Sequence, residues 1–265
     1  MTNIRVITNK PVAYDSPDHM QPHGTANDNS ENLAFNWKLH DWIPKTKICI
    51  LDLGCSGGGF VKSIIDSGGF AIGIEGSDYS KLRQRAEWAN IPQYLFTADI
   101  TEPFQIVEVD DDGNESPLKF NVITAWEVIE HLKVDQIAQT FDNISRHLAD
   151  NGVIIMSVCP IDDVIDGINL HQTVQEKAWW IDLFTSYGYK NQPRLIKYFN
   201  RDWIRNDFPS FHVVLTRNNE VIPYHFRFYF ASLWNNQSFL KIREILRSNT
   251  PIFIKSIYRR LKNHT

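Results

Sequence analysis

The ten residues Leu51–Phe60, LDLGCSGGGF, run an apolar stretch into a turn in which Gly54, Gly57, Gly58 and Gly59 leave only Cys55 and Ser56 with side chains. A chain that omits so many β-carbons between a strand-like and a helix-like segment must turn sharply there. It also opens its N–H groups to an anionic or polar ligand at the helix start. The pattern around the turn extends the constraint. From Lys47 the chain alternates apolar runs with amphipathic ones: KICILDL, FVKSIIDSG, FAIGIEG, SKLRQRAEWAN and QYLFTAD. FNVITAW and GVIIMSV follow as buried strands around a helix over about 134–147, a further helix is expected over about 174–187, and RLIKYF and FHVVLTR bring the strands to seven. The expected fold is α/β, a doubly wound seven-stranded Rossmann-like sheet with helices on both faces. Its ligand crevice should lie at the carboxyl ends of the strands.

The rest of the chain is read against this centre. Residues 1–29 carry Pro11, Pro17 and Pro22 among polar residues and are expected to form an irregular arm. Asp28 and Glu31 resemble a capping box for a short helix bearing Leu33, Trp37 and Leu39. Residues 30–218 form the cofactor-binding domain, with a hairpin insertion at about 103–119 around the polar turn DDDGNES. Residues 219–265 hold eight Lys or Arg against two Asp or Glu, with apolar residues at near-helical spacing on both sides of Pro251. A basic, amphipathic C-terminal helical tail is expected, packing on the acidic main domain or on a second subunit, or docking on an anionic membrane as a peripheral contact.

Composition excludes several classes. A net charge of −4 does not suit a polyanion binder, so nucleic acid is not favoured as a partner. No run approaches the roughly 18 apolar residues of a membrane span, and the first residues have no secretory h-region. Cys49, Cys55 and Cys159 lack paired metal-site spacing and read as reduced packing residues, which favours a cytoplasmic location.

The glycine loop alone leaves its cofactor open, because dinucleotide-binding folds use the same device and Glu75 ends the next strand where an acid would meet ribose hydroxyls. Five segments in order narrow the choice: LDLGCSGGGF, GIEGSD, TADIT, FNVITAWEVIEHL and HLADNGVIIMSV. Together they resemble class I S-adenosylmethionine-dependent methyltransferases, and most nearly their small-molecule O-methyltransferase branches. The resemblance covers roughly residues 30–218, and the string ending Glu130-His131-Leu132 is its most specific part. It departs at Ser56, where a glycine is commoner, and at Asn121, where an aspartate is usual.

The resemblance implies S-adenosylmethionine as cofactor and S-adenosylhomocysteine as product, with no metal expected. It places the methionine part on the loop at Gly54, Cys55, Ser56 and Gly58, with Asp52 ordering the turn and the ammonium surroundings. Glu75 and Gly76 would meet the ribose, Asp99 and the Ile100 N–H the adenine, and the Trp126 backbone the amine. An NAD-dependent oxidoreductase is the rival reading, disfavoured because the loop lacks a clean G-x-G-x-x-G. A cofactor-binding regulatory subunit without catalysis is the third.

Methyl transfer from a sulfonium needs alignment and exclusion of water more than it needs bond activation. An alcohol acceptor profits from a general base. His171, on a loop after the fifth strand, is the expected catalytic base. Glu127 and His131 are expected substrate contacts, with Asp162 and Asp163 as lesser candidates. Trp179, Trp180, Phe184, Tyr187 and Tyr189 have helical aromatic spacing and read mainly as packing. The expected acceptor is a hydroxyl on a sugar, glycan precursor or natural-product intermediate.

Overall fold

The computed structural model describes residues 3–43, 48–207 and 209–217, all in the first of the two units into which the chain divides, residues 1–222. The basic segment 219–265 and its expected helices lie outside the described residues. In chain order the strands are β1 (Asn3–Thr8), β2 (Cys49–Leu53), β3 (Phe70–Glu75), β4 (Leu95–Thr97), β5 (Phe104–Val109), β6 (Glu115–Pro117), β7 (Phe120–Trp126), β8 (Leu148–Val158), β9 (Val164–Ile165), β10 (Ile168–Asn169), β11 (Tyr189–Asn191) and β12 (Phe211–Arg217). The α-helices are α1 (Pro17–Met20), α2 (His23–Asn27), α3 (Leu33–Trp42), α4 (Gly59–Asp66), α5 (Tyr79–Leu82), α6 (Val134–His147), α7 (Lys177–Ser186) and α8 (Pro193–Phe199).

The strand runs of the sequence are apolar without alternation because both faces of their sheet are covered. Ile50, Leu51, Ile72, Ile74, Ile123 and Ile154 are all fully buried. Each such side chain contributes about 1.5–3 kcal/mol relative to exposure. The strand order is β11-β12-β8-β7-β2-β3-β4, with β12 antiparallel to both its neighbours and the other pairs parallel. The chain winds from β2 outward through β3 to β4, then returns to β7 on the other side of β2. The gap above the carboxyl ends of β2 and β7 is therefore a topological switch point, where open α/β sheets hold their ligands. The seven-stranded doubly wound sheet matches the expectation.

Four local expectations need correction. RLIKYF is helix α8 and not a strand: Pro193 sits in its first turn, Leu195, Tyr198 and Phe199 are buried at helical spacing, and the Lys38 ammonium binds the carbonyls of Tyr198 and Phe199 at 2.9 and 2.8 Å. The seventh strand is the short β11 before it. The N-terminal residues are not an irregular arm. β1 pairs antiparallel with β5, converting the expected hairpin of β5 and β6 into a three-stranded sheet, and Ile4 and Val6 pack on the core. A six-residue edge strand carries too little pattern to stand out from the proline-rich stretch that follows it. Helix α3 is capped by Asn32, whose Oδ1 accepts from Ala34 N–H at 3.0 Å, while the Asp28 carboxylate turns to Ser30; Leu33 and Trp37 face solvent and Phe35, Leu39 and Trp42 face the core. Finally, SKLRQRAEWAN is not one helix but the single turn of α5 and a 3₁₀ turn over Ala86–Ala89, because Gln84 and Ala86 take positive φ and bring the Arg85 guanidinium inward, within 3.1 Å of the Ser56 hydroxyl.

The small sheet is anchored by His147, which stacks on Phe104 with ring centroids 4.8 Å apart. Its Nε2 accepts from the Ile106 N–H at 3.1 Å and its Nδ1–H donates to the Asn143 carbonyl at 2.8 Å, so the ring is a neutral tautomer. Burial pushes its pKa down to about 4. Trp180 and Phe184 are fully buried with Phe141 and Tyr189 under the sheet, the packing role expected of that aromatic run.

Candidate active site

The glycine loop joins β2 to α4 at the switch point. Gly54 has φ of 70°, and a β-carbon there would lie 2.4 Å from the Val128 side chain. Gly57 is required for a reason the sequence did not show: a β-carbon would strike Asn29 Oδ1 at 2.4 Å and the Asp28 carbonyl at 2.7 Å, because the N-terminal segment lies directly on the loop. Ser56 adopts φ of 47°, a strained value for a residue with a side chain, and its hydroxyl donates to the Asp28 carbonyl at 3.0 Å. Thus the departure from glycine at Ser56 serves to tie the loop to the segment above it.

Glu75, at the end of β3, is 6% exposed. Its Oε2 accepts from the Ser56 N–H at 2.7 Å, and its Oε1 accepts from Ser77 N–H at 3.1 Å and from the Thr25 hydroxyl at 3.4 Å. Burial raises its pKa, and the two backbone donors partly offset that. An ionised carboxylate offers about four acceptor positions, so this one keeps capacity for a ligand hydroxyl, and the long Thr25 contact is the one most readily replaced. Asp99, after β4, accepts from the Thr101 N–H at 2.9 Å and the Thr101 hydroxyl at 2.6 Å.

These groups open onto one cavity of about 540 Å³, within the usual range for small-molecule and cofactor sites. Gly54, Ser56, Glu75, Gly76, Asp99, Ile100, Trp126, Glu127, His131 and His171 all line it, as do Asp162 and Asp163. Asp52, Cys55 and Gly58 do not: Asp52 belongs to β2, and Cys55 and Gly58 are loop residues turned away from the cavity. Asp52 is 2% exposed and accepts from the Thr124 hydroxyl at 2.6 Å, and burial pushes its pKa up to about 8. Cys55 lies against the β3 backbone at Gly73, and Gly58 is the N-cap of α4 at φ of 87°. All three shape the turn from below. The Trp126 ring packs edge-on against Phe35 and Phe60, so any ligand contact from this residue comes from its backbone.

The other end of the cavity is built by side chains from distant parts of the chain. His131 closes a 3₁₀ turn over Ile129–His131, and its Nδ1 lies 2.9 Å from the Asp18 carboxylate, a partner with no signal in the sequence. Burial lowers the pKa of His131, but the hydrogen bond and charge of Asp18 outweigh it and the net shift is upward. His171 meets His131 edge to face, with ring centroids 4.6 Å apart. It donates Nδ1–H to the Ile161 carbonyl at 2.5 Å, and burial shifts its pKa downward. That bond fixes the neutral tautomer with its lone pair on Nε2. Glu130, fully buried behind this wall, accepts from Cys159 N–H at 2.6 Å on Oε1, while its Oε2 has no hydrogen-bond partner among the described residues. Burial pushes its pKa up to about 7. Glu127, at φ of 55°, accepts from the Ser210 hydroxyl at 2.5 Å, with Arg205 4.0 Å away. Asp18, Thr25, Arg205 and Ser210 are site residues that pattern reading missed, since each is polar, lies in a loop or short helix and belongs to no motif.

A family profile described as a methyltransferase domain matches residues 23–211, most of the chain and nearly all of the sheet just described. The chain belongs to the methyltransferase family. It is a member of the class I S-adenosylmethionine-dependent superfamily. No curated protein matches it. Among solved structures this methyltransferase is similar to the CcbJ methyltransferase from Streptomyces caelestis (13% identity, 78% of this chain and 97% of that one, TM-score 0.49). It is also similar to the mitomycin 7-O-methyltransferase MmcR (12%, 69% and 52%, 0.48) and to the glycopeptide N-methyltransferase MtfA complexed with S-adenosylmethionine (10%, 69% and 86%, 0.42). No described helix is long and apolar enough to cross a membrane.

Proposed function

We propose that this methyltransferase transfers a methyl group from S-adenosylmethionine to a hydroxyl of a small polar acceptor, a sugar, glycan precursor or natural-product intermediate, with His171 as the general base. The observation that carries the reading is the orientation of His171. The Ile161 carbonyl takes its Nδ1–H, its lowered pKa keeps it neutral at pH 7, and it lines the same cavity as the glycine loop and Glu75. Bound at the loop, the cofactor supplies a methyl group on a positively charged sulfur, already a good leaving group.

The roles of the chain's own residues follow from position. The loop from Gly54 to Gly58 cradles the amino-acid part, with Asp52, Cys55 and Gly58 setting its shape from below. Glu75 and Gly76 meet the ribose, Asp99 and Ile100 the adenine. Glu127 and His131 orient the acceptor, and His171 Nε2 receives the proton that its hydroxyl gives up. The N-terminal segment over the loop excludes water. The acidic balance of the described domain and the surplus of cations beyond Arg217 favour docking of residues 219–265 on an acidic surface, and truncation after Asn218 tests that by loss of self-association or of salt-sensitive vesicle binding.

Calorimetry with S-adenosylmethionine and with NAD, followed by methyl transfer over a panel of hydroxyl and amine acceptors, tests the reading. Binding of S-adenosylmethionine with transfer only to amines overturns the acceptor class. Binding without transfer to any acceptor makes the protein a cofactor-binding subunit.

A further inference from the structure

One carboxylate oxygen of Glu130 and one ring nitrogen each of His131 and His171 lie within 4.8 Å of one another. Both imidazoles are held in the way metal-ligating histidines are held: His131 has its Nδ1 on the Asp18 carboxylate and His171 has its Nδ1 on the Ile161 carbonyl. Those bonds direct the remaining lone pair of each ring to Nε2. The third group has an acceptor atom that no described residue satisfies, since Glu130 is fully buried and its Oε2 is without a partner among the described residues. A carboxylate oxygen buried in that state is costly, and a bound cation removes the cost.

We propose that Glu130, His131 and His171 form a binding site for one divalent transition cation of the zinc type, with an open coordination position toward the acceptor end of the cavity. Two imidazoles and one carboxylate are a donor set for zinc, manganese, iron(II) or cobalt; magnesium and calcium prefer oxygen alone. Tetrahedral ligand bonds of about 2.0–2.2 Å put the donor atoms roughly 3.3–3.6 Å apart, so donors up to 4.8 Å apart close by about 1.2–1.5 Å, shared between rotations of the three side chains. Three protein ligands leave room for a further oxygen, and His131 and His171 both line the cavity. An acceptor hydroxyl in that position is acidified by the cation and releases its proton to solvent. The proposal rests on reading this cluster as the acceptor end of the methyltransferase site. It differs in one respect: with a cation bound, the His171 lone pair is committed to the metal, and His171 acts as base only in the cation-free protein.

The test is a titration of the chelator-treated full chain with cobalt(II), followed by visible absorption and by metal analysis after gel filtration, with zinc(II) as competitor. One equivalent should bind, with a ligand-field band that zinc abolishes. His171→Gln should lose the band, and Asp18→Ala, on a half-exposed residue outside the ligand set, should weaken uptake about 10- to 100-fold as loss of an outer partner does. No uptake, or uptake equal in both variants and the parent, overturns the site. Parallel calorimetry with S-adenosylmethionine checks that each variant is folded and keeps the two readings apart. Cofactor binding without cobalt uptake leaves the methyltransferase reading intact and removes the cation, whereas cobalt uptake without cofactor binding does the reverse.

Discussion

The two ends of the cavity are built by opposite means. At the cofactor end, one short stretch of chain supplies the groups: the loop from Gly54 to Gly58 turns back on β3, and Glu75 receives the N–H groups of Ser56 and Ser77, so backbone donors hold its buried carboxylate. At the acceptor end, side chains from Asp18, Glu130, His131 and His171 meet across more than 150 residues of sequence, and one carboxylate oxygen is left unsatisfied. A backbone cradle is rigid and tolerates little substitution of its glycines. A side-chain cluster can be changed one residue at a time with the sheet intact, as an end that must match a particular acceptor would need. Loss at the acceptor end should therefore appear in turnover, and loss at the cofactor end in affinity and stability.

The largest expected effect is that of His171→Ala: turnover should fall about 100- to 10,000-fold while S-adenosylmethionine affinity by calorimetry is unchanged. Equal losses in both would mean that the two ends are not separable. Next, Gly54→Ala combines a left-handed backbone with a β-carbon 2.4 Å from Val128 and should cost about 2–4 kcal/mol in denaturant unfolding, with cofactor binding lost in step. Stability equal to the parent would show that the loop adapts as freely as the far end. Glu75→Ala removes a charge-assisted acceptor and should weaken the cofactor by about 1.5–3 kcal/mol, read as affinity, with the turnover of saturated enzyme little altered.

The last effect is a slope. The folded-state pKa of Asp52, about 8, lies above its value of 3.8 in the open chain, so between about pH 4 and 8 the native state holds more protons and stability falls as pH rises. Glu75 and Glu130, also raised, act in the same direction. Asp52→Asn keeps an oxygen for the Thr124 hydroxyl and should flatten its share of that slope, at most about 1.4 kcal/mol per pH unit, in urea unfolding at pH 5 and pH 8. An unchanged slope would place the buried charge elsewhere.

Much of the sheet was legible because a strand buried on both faces is apolar along most of its length, as β2, β3, β7 and the Val153–Val158 part of β8 are. Legibility failed where a residue's partner is far along the chain. RLIKYF reads as a strand by composition, yet Pro193 and the Lys38 ammonium make it a helix; Arg85 breaks an expected helix because it reaches Ser56 and Asp28. The same division runs through the site. Glycines and Glu75 stand out by spacing and the Glu130-His131 pair by the family resemblance, while Asp18, Thr25 and Ser210 join only because loops and short helices carry them there.

The sequence by itself determined the doubly wound sheet and the position of its crevice, since hydrophobic period and missing β-carbons are local properties that act wherever the chain goes; the cofactor class came from the resemblance of five ordered segments to a known family. Only the tertiary structure decided that Asp28 and Asn29 lie on the glycine loop, that Asp52 lies outside the cavity lining, and that His131 and His171 each bring a ring nitrogen within 4.8 Å of a buried Glu130 oxygen. Hydrogen-bond direction and burial are properties of pairs, and these pairs exist only once the chain has folded.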